Sequence, residues 1–113
     1  MPHLILDLSP ELAQENWQDF FKQAHAILSP YADIAKCKSR INVVSAVYIG
    51  ENTAAEALIF LKVCLRPRPP EVLQAIGDQL FACLEAFIQP ILERLQLQAD
   101  PTVDIRILEH YWQ

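Results

Sequence analysis

Pro2 is the residue of this chain whose position gives it unusual chemistry. Removal of Met1 turns it into an N-terminal secondary amine. An unperturbed α-amine titrates at about 7.7–8.0, so slight burial or a nearby cation leaves it neutral and basic at physiological pH. A neutral amine of that kind is a general base. If Met1 stays in place, the same nitrogen is an amide without a basic lone pair. The simplest competing reading is an inert terminal proline, so the rest of the chain must supply the partners of a proton transfer.

Cations are the first such partners. Six of the nine basic residues, Lys36, Lys38, Arg40, Lys62, Arg66 and Arg68, fall between positions 36 and 68, where Glu51 and Glu56 are the only acids. The whole chain carries a net charge of −5. A local basic cluster inside an acidic protein suits a small anion and disfavours nucleic acid. The competing reading is that these cations merely solvate edge strands, the usual fate of strand charges.

Metal and disulfide chemistry are not expected. Cys37, Cys64 and Cys83 are odd in number, far apart and without CxxC spacing, which predicts reduced, mostly buried thiols. His3, His25 and His110 form no i, i+4 or HxH grouping. His3 adjoins Pro2 but falls on the alternate strand face, where a packed or exposed side chain is the ordinary outcome.

The elements that must position these groups follow from periodicity. Residues 3–8 read as a buried strand ended by Ser9-Pro10. Trp17, Phe20, Phe21, Ala24, Ile27 and Leu28 recur at helical spacing, predicting an amphipathic helix that Ser29-Pro30 stops. Residues 38–49 are rich in β-branched types, and period two places Lys38, Arg40 and Asn42 on one face. A turn at Gly50-Glu51-Asn52 leads to a strand over 56–66, with Lys62 and Arg66 sharing a face. The stiff loop Arg66-Pro67-Arg68-Pro69-Pro70 opens a long apolar helix from about Glu71, which Pro90 should kink or divide. Val103, Ile105 and Ile107 alternate with polar residues as a last strand.

The order βαβ, βαβ predicts an α+β (α/β) fold over 1–113, a single domain with a pseudo-repeat at 1–50 and 56–109. Two such units joined by a hairpin make a four-stranded mixed sheet with both helices on one face. Subunits of an oligomer would cover the other face, and the 52% hydrophobic content points the same way. No run approaches about 18 consecutive apolar residues and no signal-peptide pattern opens the chain, so a cytoplasmic protein without a membrane partner is expected.

With Pro2 opening the first strand, the chain resembles the tautomerase superfamily, and within it the 5-carboxymethyl-2-hydroxymuconate isomerases. The segments that carry the resemblance are MPHLILDLS at 1–9, KSRINVV at 38–44, FLKVCLR at 60–66 and EVLQAIGDQLF at 71–81. The resemblance implies a cofactor-independent isomerase of aromatic-compound catabolism, assembled as a homotrimer with active sites between neighbouring subunits. Pro2 would move a proton along a dienol of a small unsaturated carboxylic acid, with arginines holding its carboxylates. Carried over, the arginine near the start of the second strand falls on Lys38, with Arg40 two residues on. Lysine lacks the bidentate fork, so either carboxylate recognition would shift toward Arg40 or the substrate would differ from the family's. The arginine of the loop before the second helix falls on Arg68, with Arg66 as its competitor, because this loop is shorter and proline-rich. Asp7 stands where strand one of the family carries glutamate.

Two other function classes remain open from sequence. One is a non-catalytic, small-anion-binding or regulatory trimer that keeps the fold. The other is a structural oligomerisation module with an exposed basic cluster. Tyr111 and Trp112 would either cover a neighbouring subunit or line a pocket.

Overall fold

The structure is a computed structural model that describes residues 2–51 and 56–112. Strands β1 (His3–Leu8), β2 (Lys38–Val43), β3 (Ile59–Leu65) and β4 (Thr102–Ile107) alternate with helices α1 (Trp17–Leu28) and α2 (Pro70–Leu95) in the order β1 α1 β2 β3 α2 β4. The four strands form one mixed sheet, ordered β2-β1-β3-β4. β1 runs parallel to β2 and antiparallel to β3, and β3 runs parallel to β4.

The expected hairpin is not the link between the halves. β2 and β3 lie on opposite sides of β1, so the connection between them crosses the sheet instead of folding back on itself. Burial explains the order. β1 and β3 carry the alternating stripes Leu4, Leu6, Leu8 and Ile59, Leu61, Val63, Leu65, all essentially buried, and they take the centre beneath the helices. β2, with the sequence KSRINV, is mostly exposed and sits at an edge. Gly50 does turn the chain, with φ at +51° as only glycine adopts readily, but Asn52 lies outside the described residues.

β2 and β3 are shorter than the expected 38–49 and 56–66, and both limits are set at the end of β1. β1 ends at Leu8, and after the bond from Val44 N–H to the Leu8 carbonyl at 3.0 Å it offers β2 no further partner. At the same end Ser9 is buried, donates its N–H to Leu58 O at 3.1 Å and accepts the Leu58 N–H on Oγ at 2.5 Å. That clamp brings the chain into β3.

The helices cover one face of the sheet. Trp17, Phe20, Ala24 and Leu28 of α1 and Ile76, Leu80, Leu84 and Ile88 of α2 are buried against the strands. Phe21 is only half-buried, at the margin of this core. By length and composition α2 is apolar enough to cross a membrane, at 26 residues and a mean hydropathy of 1.2, although no long unbroken apolar run appears in it. Its buried stripe is the one that packs on the sheet. α2 also passes Pro90 as one helix, not two. Pro90 is exposed, and so is Ala86 one turn earlier, so the carbonyl that the missing N–H leaves unpaired lies on the solvent side.

The register defines the opposite, open face. Across it run the rows Lys38, His3, Cys64, Arg106; Arg40, Ile5, Lys62, Asp104; and Asn42, Asp7, Phe60, Thr102. This face is more polar than a covered apolar sheet would be, and its apolar members are chiefly Ile5 and Phe60. Asn42 Nδ2 donates to Asp7 Oδ1 at 3.1 Å, and Arg106 pairs with Asp104 at 2.6 Å.

Candidate active site

Pro2 is buried immediately before β1, and its carbonyl accepts the Lys38 N–H at 3.0 Å. This bond fixes the N-terminus beside the start of β2. Pro2 also forms part of the wall of a cleft of about 370 Å³, whose other walls are Leu65 at the end of β3, Arg66 and Arg68 after it, and Ala32, Asp33 and Lys36 from the connection between α1 and β2. The cleft therefore gathers one terminal residue, three cations and one carboxylate from three separate parts of the chain.

Of the cations expected near Pro2, Arg66 and Arg68 are there and the side chains of Lys38 and Arg40 are not. The reason is strand parity. Lys38 pairs with His3 and Arg40 with Ile5, and these residues belong to the open face. Pro2 precedes His3 by one residue and shares the cleft with Leu65, whose side chain belongs to the helix-covered face. Within one subunit, Lys38 thus meets Pro2 through its backbone alone.

Lys36 and Asp33 are the site residues that periodicity did not single out. Their signal was local: Asp33 Oδ1 accepts the Ala35 N–H at 3.2 Å and caps the short helical turn Ile34–Lys36, which presents Lys36 to the cleft.

The two arginines are held differently. Arg68 Nη1 donates to the carbonyls of Arg66 and Pro67, both at 3.2 Å, and Nη2 to the carbonyl of Tyr31 at 2.8 Å. Arg66 is exposed and lies over the Tyr111 ring, with Cζ at 5.6 Å from the centroid. Trp112 is 94% exposed.

Electrostatics around the N-terminus follow from burial and from these charges. Burial first, then surrounding positive charge that includes Lys38 and Arg40, holds His3 below the ordinary imidazole range. Burial alone lowers His25, whose Nε2 lies 2.8 Å from Ser39 Oγ. Burial raises the Cys37 thiol, with Ser39 hydrogen bonding opposing it. All three thiols are free and half-buried. Among the described residues no three His, Cys, Asp or Glu side chains gather in a metal-binding group. The arrangement can seat an anion beside Pro2 and stabilise negative charge that develops there.

The architecture is a tautomerase-like α+β fold, two βαβ units whose four strands form one mixed sheet beneath the two helices. The likeness extends over the whole chain in two solved 5-carboxymethyl-2-hydroxymuconate isomerases. One, from Deinococcus radiodurans R1, is 19% identical over 99% of this chain and 87% of that one, with a TM-score of 0.86. The other, a 5-carboxymethyl-2-hydroxymuconate delta-isomerase, is 14% identical over 100% of this chain and 86% of that one, with a TM-score of 0.83. An asymmetric trimer of fused wild-type 4-OT is 16% identical over 94% and 85%, with a TM-score of 0.68. No protein-family model matches the sequence, and no curated protein matches it significantly. At these identities the likeness is one of fold.

Proposed function

We propose that this protein is a cofactor-independent isomerase of the tautomerase type, with Pro2 as general base once Met1 is removed. The substrate is a small unsaturated carboxylic acid of the 5-carboxymethyl-2-hydroxymuconate type. The Pro2 nitrogen takes the proton of the dienol hydroxyl, the electron pair shifts along the conjugated chain, and the protonated amine returns the proton to carbon. Positive charge at the cleft lowers the affinity of the amine for its proton and offsets the charge of the dienolate. The observation that carries this reading is the buried Pro2 in one cleft with Arg66, Arg68 and Lys36.

The assembly proposed is a cytoplasmic homotrimer. Lys38 and Arg40 lie on the open face, where a neighbouring subunit would receive them, so their carboxylate-binding role is one that only the assembly can supply. The test combines intact mass with ketonisation of 2-hydroxymuconate and phenylenolpyruvate by the wild type and Pro2→Ala. Processed protein whose rate falls by about a hundredfold or more in the variant supports the proline base. Retained Met1, or a rate indifferent to Pro2, removes it.

The second reading is a non-catalytic, small-anion-binding or regulatory trimer with the same fold. What favours it is that the cations line the cleft whether or not the Pro2 nitrogen is free. Binding of a carboxylate without turnover in the same assay would select it.

A further inference from the structure

Arg66 and Arg68 stand two residues apart on one loop and line one cleft, yet their guanidinium groups have different surroundings. Arg68 spends donors from both terminal nitrogens on three main-chain carbonyls, two within its own loop and one just beyond the end of α1. A guanidinium has five N–H donors in a fixed plane. With three carbonyls engaged, Arg68 has at most two of its five N–H donors left for a carboxylate, and its position is set by the loop and the end of α1.

Arg66 has a different support. The Tyr111 ring lies beneath its guanidinium. Attraction between the cation and the ring face tethers the guanidinium, whose N–H fork is of the kind that receives a carboxylate bidentately. The placement of Tyr111 comes from the sheet. β4 pairs with β3 through Leu65 and Ile107, and Leu108 N–H then bonds the Leu65 carbonyl at 2.8 Å, so the segment after β4 is delivered beside the residue that follows β3.

From this we infer that Arg66 is the carboxylate-binding arginine of the cleft, that Tyr111 is the positioning residue that aims it, and that Arg68 is a brace for the loop. This assignment rests on the reading of the cleft as a carboxylate site. It moves specificity away from the arginine that the family pattern favours and onto a pair, Arg66 and Tyr111, joined only by tertiary structure.

The experiment is calorimetric titration of muconate, a dicarboxylate without the enol hydroxyl, into the wild type and into Arg66→Ala, Tyr111→Leu, Tyr111→Phe and Arg68→Ala. Arg66→Ala should weaken binding about tenfold or more, as expected for loss of a charge-assisted pair. Tyr111→Leu should weaken it about three- to fivefold through loss of the ring, and Tyr111→Phe, which keeps the ring, should restore wild-type affinity. In the ketonisation assay Tyr111→Leu should raise KM with little change in kcat.

Wild-type affinity in Tyr111→Leu overturns the positioning role. A larger loss in folded Arg68→Ala than in Arg66→Ala overturns the division of labour; if Arg68→Ala does not fold, the Arg66 and Tyr111 variants decide. Failure of the wild type to bind muconate overturns the carboxylate site and this assignment together. Arg66-dependent binding without Pro2-dependent turnover supports the assignment while removing the isomerase.

Discussion

The guanidinium of Arg68 reaches the carbonyl of Tyr31 at 2.8 Å, across 37 residues of sequence. Two further bonds from the same group return to its own loop, so one side chain joins the exit of β3 to the exit of α1. Those two exits are opposing walls of the Pro2 cleft. The hydrogen bonds of Arg68 thus tie together two of the segments that line the cleft.

Loss of that tie should be visible as stability. Arg68→Ala leaves the Tyr31 carbonyl without its charged donor, and hydrogen bonds to charged groups contribute about 1.5–3 kcal/mol each when well buried. Because the site is only part-buried, a net loss of about 1–2 kcal/mol is expected. For a domain of this size that is a fall of roughly 5 °C in Tm. Differential scanning calorimetry measures it, and an unchanged Tm would mean that water replaces the tie at no cost.

Much of the fold was legible because its strongest patterns are local. The limits of β1 and α1 follow from the leucine alternation and from the aromatic spacing that starts at Trp17. Sheet order was not local. The Gly50 turn is compatible with a hairpin, and only the competition of β1, β2 and β3 for the covered centre of the sheet decides against one. The site divides in the same way. Pro2 with Arg66 and Arg68 was readable from residue type, whereas the absence of Lys38 and Arg40 from the cleft depends on which face their shared parity selects. Parity says that two residues agree; register alone says with which side. Lys36, counted in the basic cluster, and Tyr111, expected to line a pocket or cover a neighbour, reach their places through a capped turn and a strand pairing, and Asp33 of that turn carried no functional signal in sequence.

Acid should destabilise the protein through its histidines. His25 titrates below its usual value of 6.5 because burial disfavours its charged form, and its Nε2 faces Ser39 Oγ. The unfolded chain therefore binds more protons than the native one between the lowered value and 6.5. This contribution is fully present above 6.5 and is lost as pH falls from there toward the lowered native pKa. His3 acts in the same direction. Urea unfolding from pH 7.5 down to 5 should show declining stability for the wild type and a shallower decline for His25→Gln. Parallel slopes in the two proteins would place the proton uptake elsewhere.

Pro90 offers a test with the opposite sign. It sits inside α2 on the exposed side, where its ring removes one helical hydrogen bond and strains the preceding turn, a defect of about 3 kcal/mol in a regular helix. Pro90→Ala restores the donor but also frees the unfolded chain, which returns about 0.4–1 kcal/mol. A net gain of about 2 kcal/mol in urea unfolding is expected. A loss would show that the helix is already relaxed around the ring and that the wall formed by Pro90, Phe87 and Ile91 depends on it.

Arg40 separates the roles of the two sheet faces. It is exposed, pairs in register with Ile5 and lies on the face away from the cleft of its own subunit. If that face packs against a neighbour in a trimer, Arg40→Glu reverses a charge at the interface. The subunit core should remain intact, because the stripe beneath the helices is untouched. Sedimentation velocity should then report smaller species, and ketonisation should fall with the loss of assembly while circular dichroism stays unchanged. Retention of both mass and rate would make Arg40 a solvated edge-strand charge and leave carboxylate recognition to the cleft of the single subunit.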